Sequence, residues 1–554
     1  MMSRVVLLMA LLLGLPLQSL EAAPPAQRAA GVTQNLVVQT TWGPVEGFQD
    51  VSTYRWLGIP FAAPPTDARR WLPPEDPTPW TNIRPAQDFA QPCAQLTTTG
   101  GLQGGEDCLY LNVWKPLTPS SMPRPIMVWI HGGGNEVGAT SDYLYGGQHL
   151  AANNEVIVVS ITYRLSSLGW FNHPALHAGE PLTDSGNFGL LDIMQALRWV
   201  RQNGAAFGGD PQNITAFGES AGGMNLWALL GSPMAAGLFD KAIILSGYPQ
   251  DISVARAQGT AQGVLEALVI ADGLATSQTV ASFLASKDEA WIQQYLHDAD
   301  TLSLLTAAAD TTSTFTEFYA IQDGTVLPED LLGAFAAGDY HHMPLIVGSM
   351  RDEMKCFLFP LWLMNRVTYS KLMAQTYGDF TPEIEALYPR TAYQPASYYN
   401  AFTDMADHLL ESFASIYMTS LVSQEVPVWV YNFQYDNLKG PFSYAIGAGH
   451  GLELPFVFSN FRDSFYPNGT EAERQTLAQT TQGYFACFAY TGDPSSCSPA
   501  LRDWPRFEGS GVDKYQRMIL DTTTRVETLS TRDIERANLW LDFHGWSQLP
   551  TLTY

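Results

Sequence analysis

The 554-residue chain carries 29 Lys+Arg against 54 Asp+Glu, a formal net charge of −25, and only 15% of its residues are charged. A nucleic-acid binder displays a basic face that releases phosphate counterions, so this balance excludes a polyanionic partner. With 46% apolar and 12% aromatic residues, the composition is also far from that of a disordered chain, because burying so much apolar surface offsets the entropy of ordering.

The first element in chain order is Met1-Met2-Ser3-Arg4, followed by an apolar run over residues 5–17 and small residues around Glu21-Ala22-Ala23-Pro24. A positive start, a short apolar core and a small-residue exit predict a secretory signal peptide over residues 1–23. The run spans about 13 residues where a membrane span needs roughly 20, and Gly14 and Pro16 interrupt it. No later segment is long enough to cross a bilayer. The expectation is a secreted or periplasmic protein without stable membrane insertion, in a compartment where cysteines oxidise.

Five cysteines are too few for a disulfide scaffold, and none forms a Cys-x-x-Cys pair, so no structural metal is expected. Cys93 and Cys108 enclose 14 residues, and a bridge closing so short a loop is worth about 3 kcal/mol in the chain-entropy account. Cys487 and Cys497 could form a second pair, which leaves Cys356 as a buried free thiol.

From about residue 125 the pattern alternates. Residues 126–130, 156–162, 214–217 and 242–245 are Val- and Ile-rich runs, apolar on both faces, which suit buried strands of a largely parallel sheet. Between two of them Ile193, Ala196, Leu197 and Val200 recur at helical spacing, and residues 221–230 predict another helix. Strands at 345–348, 428–433 and 518–520 carry the sheet through most of the chain. Helical stretches over about residues 255–340 and 360–420 pack on or over it. No linker divides the sequence, so residues 24–554 read as one α/β domain with insertions.

The strand at 214–217 runs straight into Gly218-Glu219-Ser220-Ala221-Gly222-Gly223, and a helix follows at once. Glycines on both sides remove Cβ atoms where a sharp turn brings strand and helix together, leaving the Ser220 hydroxyl exposed. Ser220 is the candidate nucleophile. A serine hydroxyl needs a base to take its proton and a carboxylate to orient that base, and in this strand-turn-helix setting they follow in the order acid, then histidine.

Six histidines lie downstream: His297, His341, His342, His408, His450 and His544. In a parallel sheet the site lies beyond the carboxyl ends of the strands. His341 and His342 precede the strand at 345–348 and so lie at its wrong end, while His297, His408 and His544 fall in helical or tail sequence. His450, in Gly447-Ala448-Gly449-His450-Gly451 after the 428–433 strand, is the candidate base. The acid should leave the carboxyl end of the 345–348 strand, where Ser349-Met350-Arg351-Asp352-Glu353 follows, and either carboxylate satisfies that requirement. Backbone N–H donors for a tetrahedral oxyanion are expected in His131-Gly132-Gly133-Gly134, directly after the 126–130 strand.

These residues resemble the type B carboxylesterases, the cholinesterase-like branch of the α/β-hydrolases. The resemblance rests on Glu106-Asp107-Cys108-Leu109-Tyr110-Leu111-Asn112, the Ser220 turn and Gly449-His450-Gly451-Leu452-Glu453-Leu454-Pro455. Leu57-Gly58-Ile59-Pro60, Asn187-Phe188-Gly189-Leu190-Leu191-Asp192, Phe207-Gly208-Gly209-Asp210-Pro211 and Thr491-Gly492-Asp493-Pro494 extend it over nearly the whole mature chain. It implies an α/β-hydrolase fold with a large, mostly parallel central sheet flanked by helices and helical insertions. It also implies a serine carboxylic ester hydrolase with no cofactor, acting on a small-molecule ester through an acyl-enzyme. The family pattern selects Glu353 as the acid and places the oxyanion donors at Gly133, Gly134 and Ala221. It pairs Arg70 with Glu106 and Arg164 with Asp192, so that these four, like Glu219, hold the fold.

Three departures stand out: Asn135 where an aromatic is usual, Met354 where Gly is usual, and Thr66-Asp67-Ala68 in place of a more Gly-containing turn. Cholinesterases also stack a quaternary ammonium on aromatic faces, principally a Trp between the first two cysteines; residues 94–107 here contain no aromatic. Two rival readings are a lipase or sterol esterase working on aggregated lipid, and a catalytically inactive binding or adhesion module. Inactive members of the family lack triad residues, whereas all three are present in this chain. The sequence leaves the oligomeric state open.

Overall fold

The computed structural model describes residues 36–312, 318–393, 397–411, 416–437, 442–461, 470–509 and 514–544. The expected signal peptide lies outside these residues. The described residues divide into two compact units, one holding those up to Asp240 together with those between Pro249 and Leu331, the other Lys241–Tyr248 and those from Leu332 to His544.

In the first unit six strands form a mixed sheet: β1 (Phe48–Gln49), β2 (Thr53–Pro60), β3 (Tyr110–Pro116), β4 (Arg124–Ile130), β5 (Ile157–Ile161) and β6 (Gly209–Glu219), in spatial order β6-β4-β5-β3-β2-β1. The pairs β6–β4 and β5–β4 are parallel, while β5–β3, β3–β2 and β2–β1 are antiparallel. Every residue of β4 and β5 is buried. That is the physical reason residues 125–130 and 157–159 read as apolar runs rather than alternating ones, with Arg124 and Ser160 as buried polar exceptions. Helix α1 (Phe188–Asn203) packs on β6, and α2 (Ala221–Gly231) follows it. Leu226, Trp227, Leu229 and Leu230 are wholly buried, as expected of a helix apolar on all sides. Helices α3 (Val254–Ala271) and α4 (Thr301–Thr311) pack against each other as part of the expected insertion.

In the second unit β7 (Lys241–Leu245), β8 (Leu345–Met350), β9 (Val428–Phe433) and β10 (Gln516–Leu520) are parallel neighbours in that order, and β11 (Arg525–Thr528) pairs antiparallel with β10. The β8–β9 register sets Leu345 against Val428 and Met350 against Phe433. The segments leading to Asp352-Glu353 and to His450 therefore both depart from carboxyl ends. Helices α5 (Arg366–Tyr377), α6 (Tyr398–Glu411) and α8 (Thr531–His544), with α7 (Glu471–Thr491) between the last two in sequence, make up the helical part. Tyr369, Met373, Tyr399, Met405 and Trp540 belong to one apolar cluster that holds α5, α6 and α8 together.

Cys93–Cys108 and Cys487–Cys497 are bonded, and Cys356 is a buried free thiol. Among the described residues no helix is long and apolar enough to cross a membrane.

Candidate active site

Ser220 lies between the last residue of β6 and the first of α2, with φ 55° and ψ −123°. A non-glycine residue held there carries about 1–3 kcal/mol of backbone strain, which the surrounding structure must over-determine. The source of that constraint is visible at Gly222, where a Cβ would sit 2.1 Å from the Ile130 carbonyl oxygen, and at Gly218, where it would lie 2.7 Å from the Gly222 backbone. Strand β4, strand β6 and helix α2 approach so closely that only glycine fits on either side of the serine.

The loop after β4 passes beside this turn. A Cβ on Gly132 would come within 2.9 Å of Ser220 Cβ. Gly133, Gly134 and Asn135 follow in left-handed backbone, at φ 103°, 65° and 59°. The loop is tied down from several directions. Gly133 O accepts from the Glu136 and Val137 amides, and Ser166 N donates to Asn135 O at 2.6 Å. Gln95, within the Cys93–Cys108 loop, both donates to Gly138 O at 2.8 Å and accepts from Gly138 N at 3.0 Å.

His131 is wholly buried, stacked on Tyr163 at 4.5 Å, and the Tyr163 hydroxyl donates to His131 O at 2.7 Å. Burial lowers its pKa to about 4, so the imidazole is neutral at ordinary pH and serves as a filler beneath the loop. The ion pairs implied by the resemblance are both formed. Arg164 meets Asp192 through two side-chain bonds of 2.8 Å, and Arg70 meets Glu106 at 2.9 and 2.5 Å.

In the second unit His450 Nδ1 lies 2.6 Å from Glu353 Oε2, and the other Glu353 oxygen accepts from Met350 N at 2.7 Å. Glu353 is 2% exposed. A carboxylate oxygen accepts, so this contact favours the tautomer with the proton on Nδ1 and the lone pair on Nε2. The Phe357 ring packs against the imidazole at 5.1 Å.

Asp352, the other candidate acid, has a different set of partners. Its carboxylate accepts from Arg351, from Lys355 at 2.7 Å and from the Ala448 amide at 2.9 Å, while its own amide donates to Ala448 O. It clamps the loop that carries His450. Burial pushes its carboxyl upward, but Lys355 and Arg351 outweigh this and hold it below the usual range.

Asp407, on α6, was not among the sequence candidates. It is 2% exposed and accepts from Met354 N at 2.5 Å. Burial, reinforced by the Asp352 charge, raises its pKa well above the ordinary carboxylate value. Met354 itself has right-handed helical backbone, so no glycine is needed after Glu353. His297, His342 and His408 are engaged elsewhere, with Trp71, Glu425 and Arg536 respectively. No group of three His, Cys, Asp or Glu side chains among the described residues is arranged to hold a metal ion.

Comparison with known proteins places this geometry in context. Residues 34–537 match the model of the carboxylesterase family. The para-nitrobenzyl esterase of Bacillus subtilis (strain 168) is 35% identical over 89% of this chain and 96% of its own length. The fumonisin B1 esterase of Sphingopyxis macrogoltabida is 33% identical over 86% of this chain and 85% of its own. Among solved structures, a PNB esterase superposes with a TM-score of 0.75 at 32% identity, covering 91% of this chain and 99% of that one. The Geobacillus stearothermophilus carboxylesterase superposes with a TM-score of 0.75 at 29% identity, covering 91% of this chain and all of that one.

Proposed function

The chain belongs to the carboxylesterase family and is a carboxylic ester hydrolase, and on that premise we propose that it works through an acyl-enzyme on Ser220, with His450 as base and Glu353 as its orienting acid. Ser220 Oγ attacks the ester carbonyl carbon while His450 Nε2 takes the hydroxyl proton. The oxygen of the tetrahedral intermediate gains negative charge and is met by the amides of Gly133, Gly134 and Ala221. Collapse breaks the bond to the alcohol, which leaves with the proton from His450. Water, deprotonated by the same imidazole, then releases the acid and restores the serine.

The observation that carries this reading is the 2.6 Å contact between His450 Nδ1 and the buried Glu353 carboxylate. A buried carboxylate facing the imidazole stabilises the imidazolium formed when Nε2 takes a proton. The strained Ser220 turn supports it from the other unit, because such strain collects at functional positions. The substrate class is a small-molecule ester. The two disulfides fit an exported protein, secreted or periplasmic, since such bonds persist in oxidising compartments.

Ser220→Ala and His450→Ala test the assignment. Each is expected to lower kcat/KM on p-nitrophenyl butyrate by at least about 10⁴-fold with the circular dichroism spectrum and Tm retained. Near-normal turnover by either folded variant would sink it.

A further inference from the structure

Gly133, Gly134 and Asn135 form three successive residues in left-handed backbone. Two glycines in a row have wide conformational freedom, so donors placed there need an anchor. Asn135 is wholly buried, and both ends of its carboxamide are used. Its Nδ2 donates to Phe318 O at 2.9 Å, and its Oδ1 accepts from Asn225 Nδ2 at 2.9 Å. A carbonyl can only accept, so the Phe318 contact fixes which end of Asn135 is the donor, and therefore that Asn225 donates to it. Asn225 is itself 2% exposed and lies on α2 one turn after Ala221. Asparagine also suits the backbone here, since it tolerates the left-handed region better than most side chains.

We infer that Asn135 is a positioning residue for the hydrolysis: its bond to Asn225 locks the Gly133-Gly134 loop to the helix that begins at Ala221, holding donors from two separate elements in one fixed arrangement. The inference rests on the proposed oxyanion role of those three amides. It gives Asn225 a task as well, although neither side chain takes part in proton transfer. The bond acts where charge develops on the substrate oxygen, so its loss should weaken transition-state binding more than ground-state binding.

The test uses the full-length enzyme, p-nitrophenyl butyrate, and two inhibitors. One is a trifluoromethyl ketone, which forms a tetrahedral adduct with an active serine; the other is the matching unreactive amide. Asn225→Ala and Asn135→Ala should each lower kcat/KM roughly 10- to 100-fold. The ketone Ki should rise by the same factor, with the amide Ki changed by less than about threefold. The double variant should be no worse than Asn135→Ala alone, because that change already removes the Asn135–Asn225 bond that Asn225→Ala breaks. If Asn135→Ala fails to fold, Asn225→Ser, which leaves the loop residue untouched, carries the same expectation.

Unchanged ketone Ki in folded variants, or an equal loss for ketone and amide, overturns the inference. Failure of the underlying mechanism has a different signature: Ser220→Ala would then keep its activity, or bind the ketone as tightly as the parent enzyme.

Discussion

The serine side and the histidine side of the proposed triad belong to different compact units and are built by different physics. Around Ser220 the backbone does the specifying, through glycines with no room for a Cβ, positive φ angles, and amide donors held by hydrogen bonds. Around His450 charge does the specifying. Two adjacent carboxylates divide the work, Glu353 facing the imidazole and Asp352 holding the loop, while a third, Asp407, lies nearby with its pKa raised. A sterically defined site fails when atoms are added. An electrostatically defined one fails when a charge is neutralised, even in the same shape.

The largest effect separates the two neighbouring carboxylates. Glu353→Gln should lower kcat/KM about 10³- to 10⁴-fold with little change in Tm, because the amide no longer stabilises an imidazolium. Asp352→Asn should do the reverse. It leaves Lys355 and Arg351 without their shared carboxylate, and the expected loss is about 1–3 kcal/mol of stability with activity largely kept below the transition. Since the folded Asp352 pKa is depressed, its stabilising contribution is present above the ordinary carboxylate range and disappears as pH falls through the folded value. The Tm deficit of Asp352→Asn should therefore shrink in acid. Activity and stability measured on both variants check this, and the opposite ranking would exchange the roles of the two residues.

On the steric side, Gly222→Ala adds one methyl 2.1 Å from the Ile130 carbonyl. The displacement of Ser220 should lower activity about 100-fold and Tm by several degrees. A variant with parental kinetics would mean the turn tolerates far more than its geometry implies.

A smaller effect distinguishes the third carboxyl. Asp407 has a folded pKa raised above its ordinary 3.8, so folding takes up protons and stability falls as pH rises toward the folded value. Asp407→Asn retains an acceptor for Met354 N but cannot ionise. Its Tm relative to the parent should improve as pH rises from the ordinary carboxylate range toward the folded value. A flat difference would contradict the raised pKa.

The smallest expected effect is a preference that should be missing. The Cys93–Cys108 loop carries no aromatic residue, and a desolvated cation–π contact is worth about 2 kcal/mol, more than tenfold in affinity. At moderate ionic strength butyrylcholine should be hydrolysed no better than an uncharged butyrate ester of similar size and leaving-group reactivity. A choline preference of roughly tenfold or more in kcat/KM would reveal another aromatic cage.

This contrast also explains what was legible in the sequence. The Ser220 turn and the buried strands β4 and β5 could be read directly, because glycine punctuation and apolar runs are local signals. The choice between Asp352 and Glu353 came only through the family resemblance and not from a local signal, since both follow β8 at the same end; their difference lies in the contacts with Met350, Ala448 and His450. Strands β2 and β3 gave weak signals because they are antiparallel and keep half-buried polar positions such as Arg55 and Lys115. Asn135 was visible as a departure from the family pattern, but its partners stand 90 and 183 residues away in sequence. No local pattern encodes such a pairing.

The most direct test of the Ser220 acyl-enzyme is a covalent one. The parent protein should be treated with an organophosphate such as paraoxon, its intact mass recorded, and the adduct mapped by peptide sequencing. One dialkyl phosphoryl group per chain is expected, located on Ser220, appearing in step with loss of esterase activity and absent from Ser220→Ala. Full inactivation with the adduct on another residue, or esterase activity that survives stoichiometric labelling of Ser220, would contradict it.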